Sequence, residues 1–164
     1  MNILVKKLTD ETLMQRACQF TLHSQKETSI DLDTMYKAGH SPIRTQMFWV
    51  EMVDIPTFVS VHLVRHSIGV THFVQSHRDD RGADFVADRD TPISHAMLIS
   101  AEALINMAHK RLCLQSHELT RRVFIYIKNS LAKVDPDLAK QLVAECVYRR
   151  GACYNLGDCD IREV

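Results

Sequence analysis

The sequence predicts an α+β fold, a small mixed or antiparallel sheet packed with helices, and three observations carry that prediction. Runs rich in aromatic and β-branched residues, Met47 to Val53 and Val70 to Gln75, read as strands. Apolar residues recur at the helical period after Asp10 and again through the C-terminal half from Ser94. The order is helix, strand, helix, strand and then helices, which suits helices laid against a small sheet.

Taken in order, Asp10 caps a first helix that carries Leu13, Met14, Ala17, Cys18 and Leu22 on one side. Asp31 and Asp33 open a short helix that stops at Gly39. After the Met47 to Val53 strand, Pro56 fits the first turn of a helix that turns Phe58, Val59, Leu63 and Val64 inward. Gly69 breaks it, and the second strand follows. Arg78 to Pro92 is polar, lacks a period and reads as a loop. The longest helix is predicted from Ser94, with Met97, Leu98, Ala101, Leu104, Ile105, Ala108 and Leu112 on its apolar stripe. Another runs from His117 to Leu131, and Asp135-Pro136 starts a last one to Tyr148. Met47, Met52, Met97, Met107 and Trp49 are expected in the core.

The chain has 164 residues, 46% of them hydrophobic, which suits one domain spanning 1–164 with a cysteine-containing tail at 146–164. Twenty basic residues balance 20 acidic ones, so the overall field does not point to a nucleic-acid polymer or a membrane surface. No apolar run approaches the roughly 20 residues a membrane span needs, and Met1 to Asp10 lacks the apolar stretch of a secretion signal. Five cysteines, an odd number without scaffold spacing, read as reduced thiols in a cytoplasmic protein. Two or three strands make a thin core, so oligomerisation is expected.

The polar residues of interest cluster between Arg65 and Arg81. Arg65 and His66 fall near a helix C-terminus, a favourable place for cations. Ser76, His77, Arg78 and Arg81 fall where the second strand runs into a loop. Arginines with a hydroxyl suit a phosphate, because a guanidinium offers planar, paired donors. The alternative is that Arg78-Asp79-Asp80-Arg81 is a solvated loop with its own ion pairs. His62 and His66 are four apart, on one helix face, but no third ligand falls at a familiar metal-binding spacing.

These motifs resemble those of the flavin-dependent thymidylate synthases. That family's signature is Arg-His-Arg, seven or eight residues, Ser, and Arg two residues later. Here Arg65-His66-Ser67 is followed by eight residues and Ser76-His77-Arg78, with His62-Leu63-Val64 before it. Upstream, His40-Ser41-Pro42 resembles the family's His-x-Ser-Pro segment. Downstream, Glu118-Leu119-Thr120-Arg121 resembles its Glu-x-x-Arg, and Arg149 falls near the place of its last nucleotide-binding arginine.

The resemblance covers roughly residues 35–150 and implies folate-dependent transfer of one carbon to C5 of dUMP. FAD would be the cofactor, NADPH and 5,10-methylenetetrahydrofolate the co-substrates, and a homotetramer with shared active sites the assembly. It implies flavin contacts for His40, Ser41, Arg65, His66 and Ser67. It implies nucleotide contacts for His62, Arg65, Ser76, His77, Arg78, Arg121 and Arg149, with Arg65, His66, Ser76 and Arg78 at the reaction centre. Ser76 reads as a phosphate or base contact rather than a nucleophile, because no base lies beside it in sequence.

The chain departs from the family at Ser67 (arginine there), His62 (glutamine), Asp79 (tyrosine) and Arg44-Thr45 (Glu-His). Its short, divergent ending resembles bacteriophage members, which would place it in the host cytoplasm and leave open a product other than dTMP, such as hydroxymethylated dUMP. A non-catalytic nucleotide-binding relative is the second reading. A metal-dependent phosphohydrolase built on the histidines and Asp79-Asp80 is the third. Cys146, Cys153 and Cys159 lack tight metal-ligand spacing, and buried or reactive thiols are the simpler reading; the alternative is a tetrahedral metal site holding the tail, completed by Cys113 or a histidine.

Overall fold

A computed structural model describes residues 1–22, 27–83, 86–153 and 159. Four antiparallel strands form an open sheet in the order β1-β2-β4-β3: β1 (Asn2–Lys7), β2 (Met47–Pro56), β3 (Val70–Val74) and β4 (Pro92–Ser100). Seven α-helices accompany them among the described residues: α1 (Glu11–Thr21), α2 (Leu32–Ala38), α3 (Thr57–Val64), α4 (Ala101–Arg111), α5 (Glu118–Leu131), α6 (Pro136–Gln141) and α7 (Glu145–Tyr148). The α+β class holds, and every strand pair is antiparallel.

Alternation along the strands sorts the sheet into two unlike faces. Val5, Phe48, Val50, Met52, Met97 and Ile99 point to one face and are buried there beneath helices. α5 closes over β1, where the Ser130 hydroxyl accepts a hydrogen bond from the Val5 backbone N–H at 3.1 Å. The other face carries Leu4, Trp49, Val53 and Phe73, with the Trp49 and Phe73 rings 5.4 Å apart. Phe73 is 50% exposed, so no described helix covers it on this face. Trp49 and Met47 therefore sit half-buried on the outer face rather than in the core.

Local signals set several element ends as expected. Asp10 and Asp31 accept from the N–H groups of Leu13 and Thr34, and Gly39 ends α2 in the left-handed conformation at φ 64°. In α1 only Met14 and Cys18 are buried, while Leu13 and Leu22 face out.

Four expectations need correction. Residues 94–100 are strand, not helix: Ile93, His95, Met97 and Ile99 point inward while Ser94, Ala96 and Leu98 point outward. As an inner strand, β4 gains ladders to both β2 and β3, and Ser100 then caps α4 by accepting from Ala103 N–H. β1 was not anticipated, which raises the strand count to four. Pro56 ends β2 and only flanks α3, whose buried residues are Phe58, Val59, Ser60 and Leu63, with Val64 exposed. The final helix divides at Leu142 into α6 and α7.

Candidate functional site

The α3–β3 corner is where the most polar groups converge. Gly69 makes this turn at φ 73°, a conformation that suits glycine, and a Cβ there would meet Ser100 Oγ at 2.9 Å. The corner is therefore pressed against the β4–α4 junction, which the Ser100 N–H to Gly69 carbonyl bond of 3.0 Å seals.

His66 is held at three points. Its N–H donates to the Leu63 carbonyl at 3.0 Å. Its carbonyl accepts from His72 Nε2 at 2.7 Å. Its ring Nε2 accepts from Arg111 Nε at 2.9 Å, reaching from the last turn of α4. A second Arg111 nitrogen donates to the His62 carbonyl at 2.6 Å. That carbonyl lies in the last turn of α3, where helix carbonyls lack intrahelical partners.

Behind His66 runs a buried polar chain. His72 Nδ1 lies 2.9 Å from His95 Nε2, and His95 Nδ1 lies 3.0 Å from Ser60 Oγ. The carbonyl of His66 can only accept, so His72 Nε2 carries a proton. With both rings neutral, His95 Nε2 then donates to His72 Nδ1, and the Ser60 hydroxyl donates to His95 Nδ1. His95 is 1% exposed, and burial, with His72 adding to it, holds its pKa down to about 4. Burial, then Arg111 and His72, hold His66 to about 4 as well.

In front lies a cationic edge. His62 Nδ1 pairs with the buried Thr120 hydroxyl at 2.8 Å. Its pKa is lowered by burial and then by Arg111, Arg65, His117 and Arg89. The Phe58 ring meets His117 edge-on at 4.6 Å, with the Arg89 guanidinium 4.9 Å over its face. Among the described residues neither Arg65 nor Arg111 has a carboxylate partner.

Of the sequence-predicted residues, the structure thus gathers His62, Arg65, His66 and Ser67 at this corner. Ser76 and His77 are half-buried beyond β3. The Arg78 N–H donates to Ser76 Oγ at 3.3 Å, and its exposed guanidinium is taken up by Asp80. Arg81 is exposed in the adjoining 3-10 turn. Arg121 is half-buried on α5, one residue from Thr120. Arg149 ends α7 and pairs with Glu145, which also binds Lys110 of α4.

His40 and Ser41 lie elsewhere, at the start of the 3-10 turn Ser41–Thr45. That turn is tied to the first turn of α4 by Arg44 donating to Glu102 at 2.8 and 3.1 Å. His66 is tied to the last turn through Arg111. Glu102 and Arg111 are separated along the helix by roughly 13 Å at 1.5 Å per residue. Cys146 and Cys159 are half-buried and Cys153 is exposed. Among the described residues no three or more His, Cys, Asp or Glu side chains are arranged to hold a metal ion. No described helix is long and apolar enough to cross a membrane.

Sequence reasoning missed Arg111, His72, His95, Ser60, His117 and Arg89. His95 was hidden because its segment was read as helix. As a strand, the inward parity of Ile93, His95 and Met97 would have put a histidine in the core. Arg111 gave no signal, since a basic residue in a last helical turn is ordinary.

No protein-family model and no curated protein matches the sequence. Solved structures share its fold. Thymidylate synthase X from Helicobacter pylori, with FAD and dUMP, superposes with a TM-score of 0.71 at 12% identity, over 87% of this chain and 99% of that one. A second structure of that flavin-dependent enzyme with FAD and dUMP gives 0.70 over 87% and 100%. A UMP/dUMP methylase from Streptomyces cacaoi, bound to 5-bromo-dUMP, gives 0.63 at 12% identity over 87% and 97%.

Proposed function

We propose that this chain is an FAD-dependent enzyme that transfers one carbon to C5 of dUMP, with methylenetetrahydrofolate and NADPH as co-substrates. The observation that carries the reading is the α3–β3 corner. There Arg65 and Arg111, neither with a carboxylate partner among the described residues, flank a neutral His66. The surrounding fold is one that FAD- and dUMP-bound enzymes share.

The donor set fits a flavin nucleotide. Arg65, the free Nδ1 of His66 and the Ser67 hydroxyl offer donors to phosphate or ring oxygens. Val61, Val64 and Ile68, exposed beside them, offer apolar surface to a planar ring, with Ile68 87% exposed. Bound there, FAD would supply hydride chemistry to the transferred carbon. The chain's own residues bind and orient. His62 stays uncharged and presents its ring beside the cations, Arg65 and Arg111 hold negative charge, and Ser76 with Arg78 takes the nucleotide phosphate. Arg121 and Arg149 complete the nucleotide site.

Among the described residues no hydrogen bond joins His40 or Ser41 to His66, which supports a flavin site completed by a second copy of the chain. The uncovered Trp49–Phe73 face supports the homotetramer in which this would happen. Two observations favour the second reading, a nucleotide-binding relative without catalysis: Arg78 is paired with Asp80, and Ser67 supplies no charge.

Incubation of the purified chain with dUMP, methylenetetrahydrofolate, FAD and NADPH, followed by mass spectrometry, tests the proposal. A product heavier than dUMP by a methylene supports it, and one heavier by a hydroxymethyl group's net CH2O identifies the related hydroxymethylation. dUMP binding with no 5-substituted product selects the non-catalytic reading. Neither flavin uptake nor dUMP binding would reject both.

A further inference from the structure

Arg111 is not among the motif residues, yet it donates a side-chain hydrogen bond to the His66 ring at 2.9 Å. Its guanidinium is a rigid planar donor set that cannot lose its proton. One nitrogen is anchored on the His62 carbonyl at the end of α3 and another on His66 Nε2, at 2.6 and 2.9 Å. The first anchor fixes the plane in which the second approaches. A proton on His66 Nε2 would put donor against donor, so this contact admits only the Nδ1–H form. The His66 backbone is itself fixed by Leu63 and His72, so the ring cannot swing away without losing the Arg111 bond. Nδ1 has no partner among the described residues, and it is not among their enclosed, unpaired polar atoms. It is therefore a donor within reach of a ligand. Ser67, next in the chain, is exposed and uncharged, which leaves Arg111 as the cation in contact with His66.

We propose that Arg111 is a positioning residue. From α4 it locks the His66 ring as the Nδ1–H tautomer and so aims a neutral donor, backed by a fixed cation, at an acceptor oxygen of the bound ligand. The ligand half of this inference rests on the flavin and nucleotide reading above. The acceptor belongs to one chemical class, a ring carbonyl or phosphate oxygen.

The test uses the whole chain in two arms. In the first, nitrogen NMR of 15N-histidine-labelled protein without ligand reads which His66 nitrogen carries the proton. Wild type is expected as Nδ1–H, and Arg111→Met is expected to shift to a population with Nε2–H. Wild type found as Nε2–H overturns the proposal whatever the variant does, and so does a folded Arg111→Met that keeps Nδ1–H alone. In the second, FAD titration is expected to show affinity falling roughly tenfold to a hundredfold in Arg111→Met, the scale of a hydrogen bond to a charged group. Equal affinity in the two proteins overturns the positioning role. A wild type that takes up no FAD rejects the flavin reading instead, while the NMR arm still decides the tautomer.

Discussion

Lowering the pH should destabilise this protein, in part through His95. The residue is 1% exposed, and both its ring nitrogens are committed, one to His72 and one to Ser60. Its pKa is about 4 in the folded chain, against an ordinary 6.5 in the unfolded one. The unfolded state therefore takes up a proton first. Stability contributed by the neutral ring is present above pH 6.5 and is lost as pH falls towards 4. At pH 5 the unfolded imidazole is almost wholly protonated and the folded one hardly at all, so His95 alone costs about 2 kcal/mol relative to pH 7. Against a total stability of about 5–15 kcal/mol this is a visible fraction. The comparison is His95→Gln, whose amide can still donate to His72 and accept from Ser60 but does not titrate. Urea unfolding of both proteins at pH 7 and pH 5 should show wild type losing about 2 kcal/mol more than the variant. Equal losses would mean that the buried ring is not the titrating group.

Other consequences are open to direct measurement. Arg78→Ala should weaken dUMP binding by about 1.5–3 kcal/mol in calorimetry, and Asp80→Asn, which frees the guanidinium, should tighten it; unchanged affinity in Arg78→Ala would remove the phosphate assignment. Gly69→Ala should lower stability by about 1–3 kcal/mol in thermal unfolding, because φ is 73° and the new Cβ meets Ser100 Oγ at 2.9 Å. Asp135→Asn should cost about 3 kcal/mol in urea, since the buried carboxylate accepts from both Lys7 at 2.7 Å and Tyr36 at 2.9 Å.

Helix ends were readable because their causes are local. Asp10, Asp31 and Gly39 act on backbone groups within four residues, so a single window of sequence contains the whole interaction. The His62–Ser67 segment was readable for a different reason, its likeness to a known motif, and the fold is the one that likeness implied. The misreading of residues 94–100 shows the limit. Met97, Leu98, Ala101 and Leu104 satisfy a helical period, while Ile93, His95, Met97 and Ile99 satisfy a strand period. Two flanking strands, one about 45 residues earlier in the chain and one about 25, settle it in favour of the sheet.

By itself, then, the sequence determined the α+β class, the capped helices and the place along the chain where the polar residues gather. Those follow from composition, short-range hydrogen bonding and contiguous motifs. Tertiary structure alone decided that β4 lies between β2 and β3 and that His95 backs His72. It also decided that Arg111, 45 residues beyond His66, closes on that ring, while the turn that begins at Ser41 is tied to the first turn of α4 through Arg44 and Glu102. Such contacts join side chains distant in sequence, and nothing local to either partner encodes them.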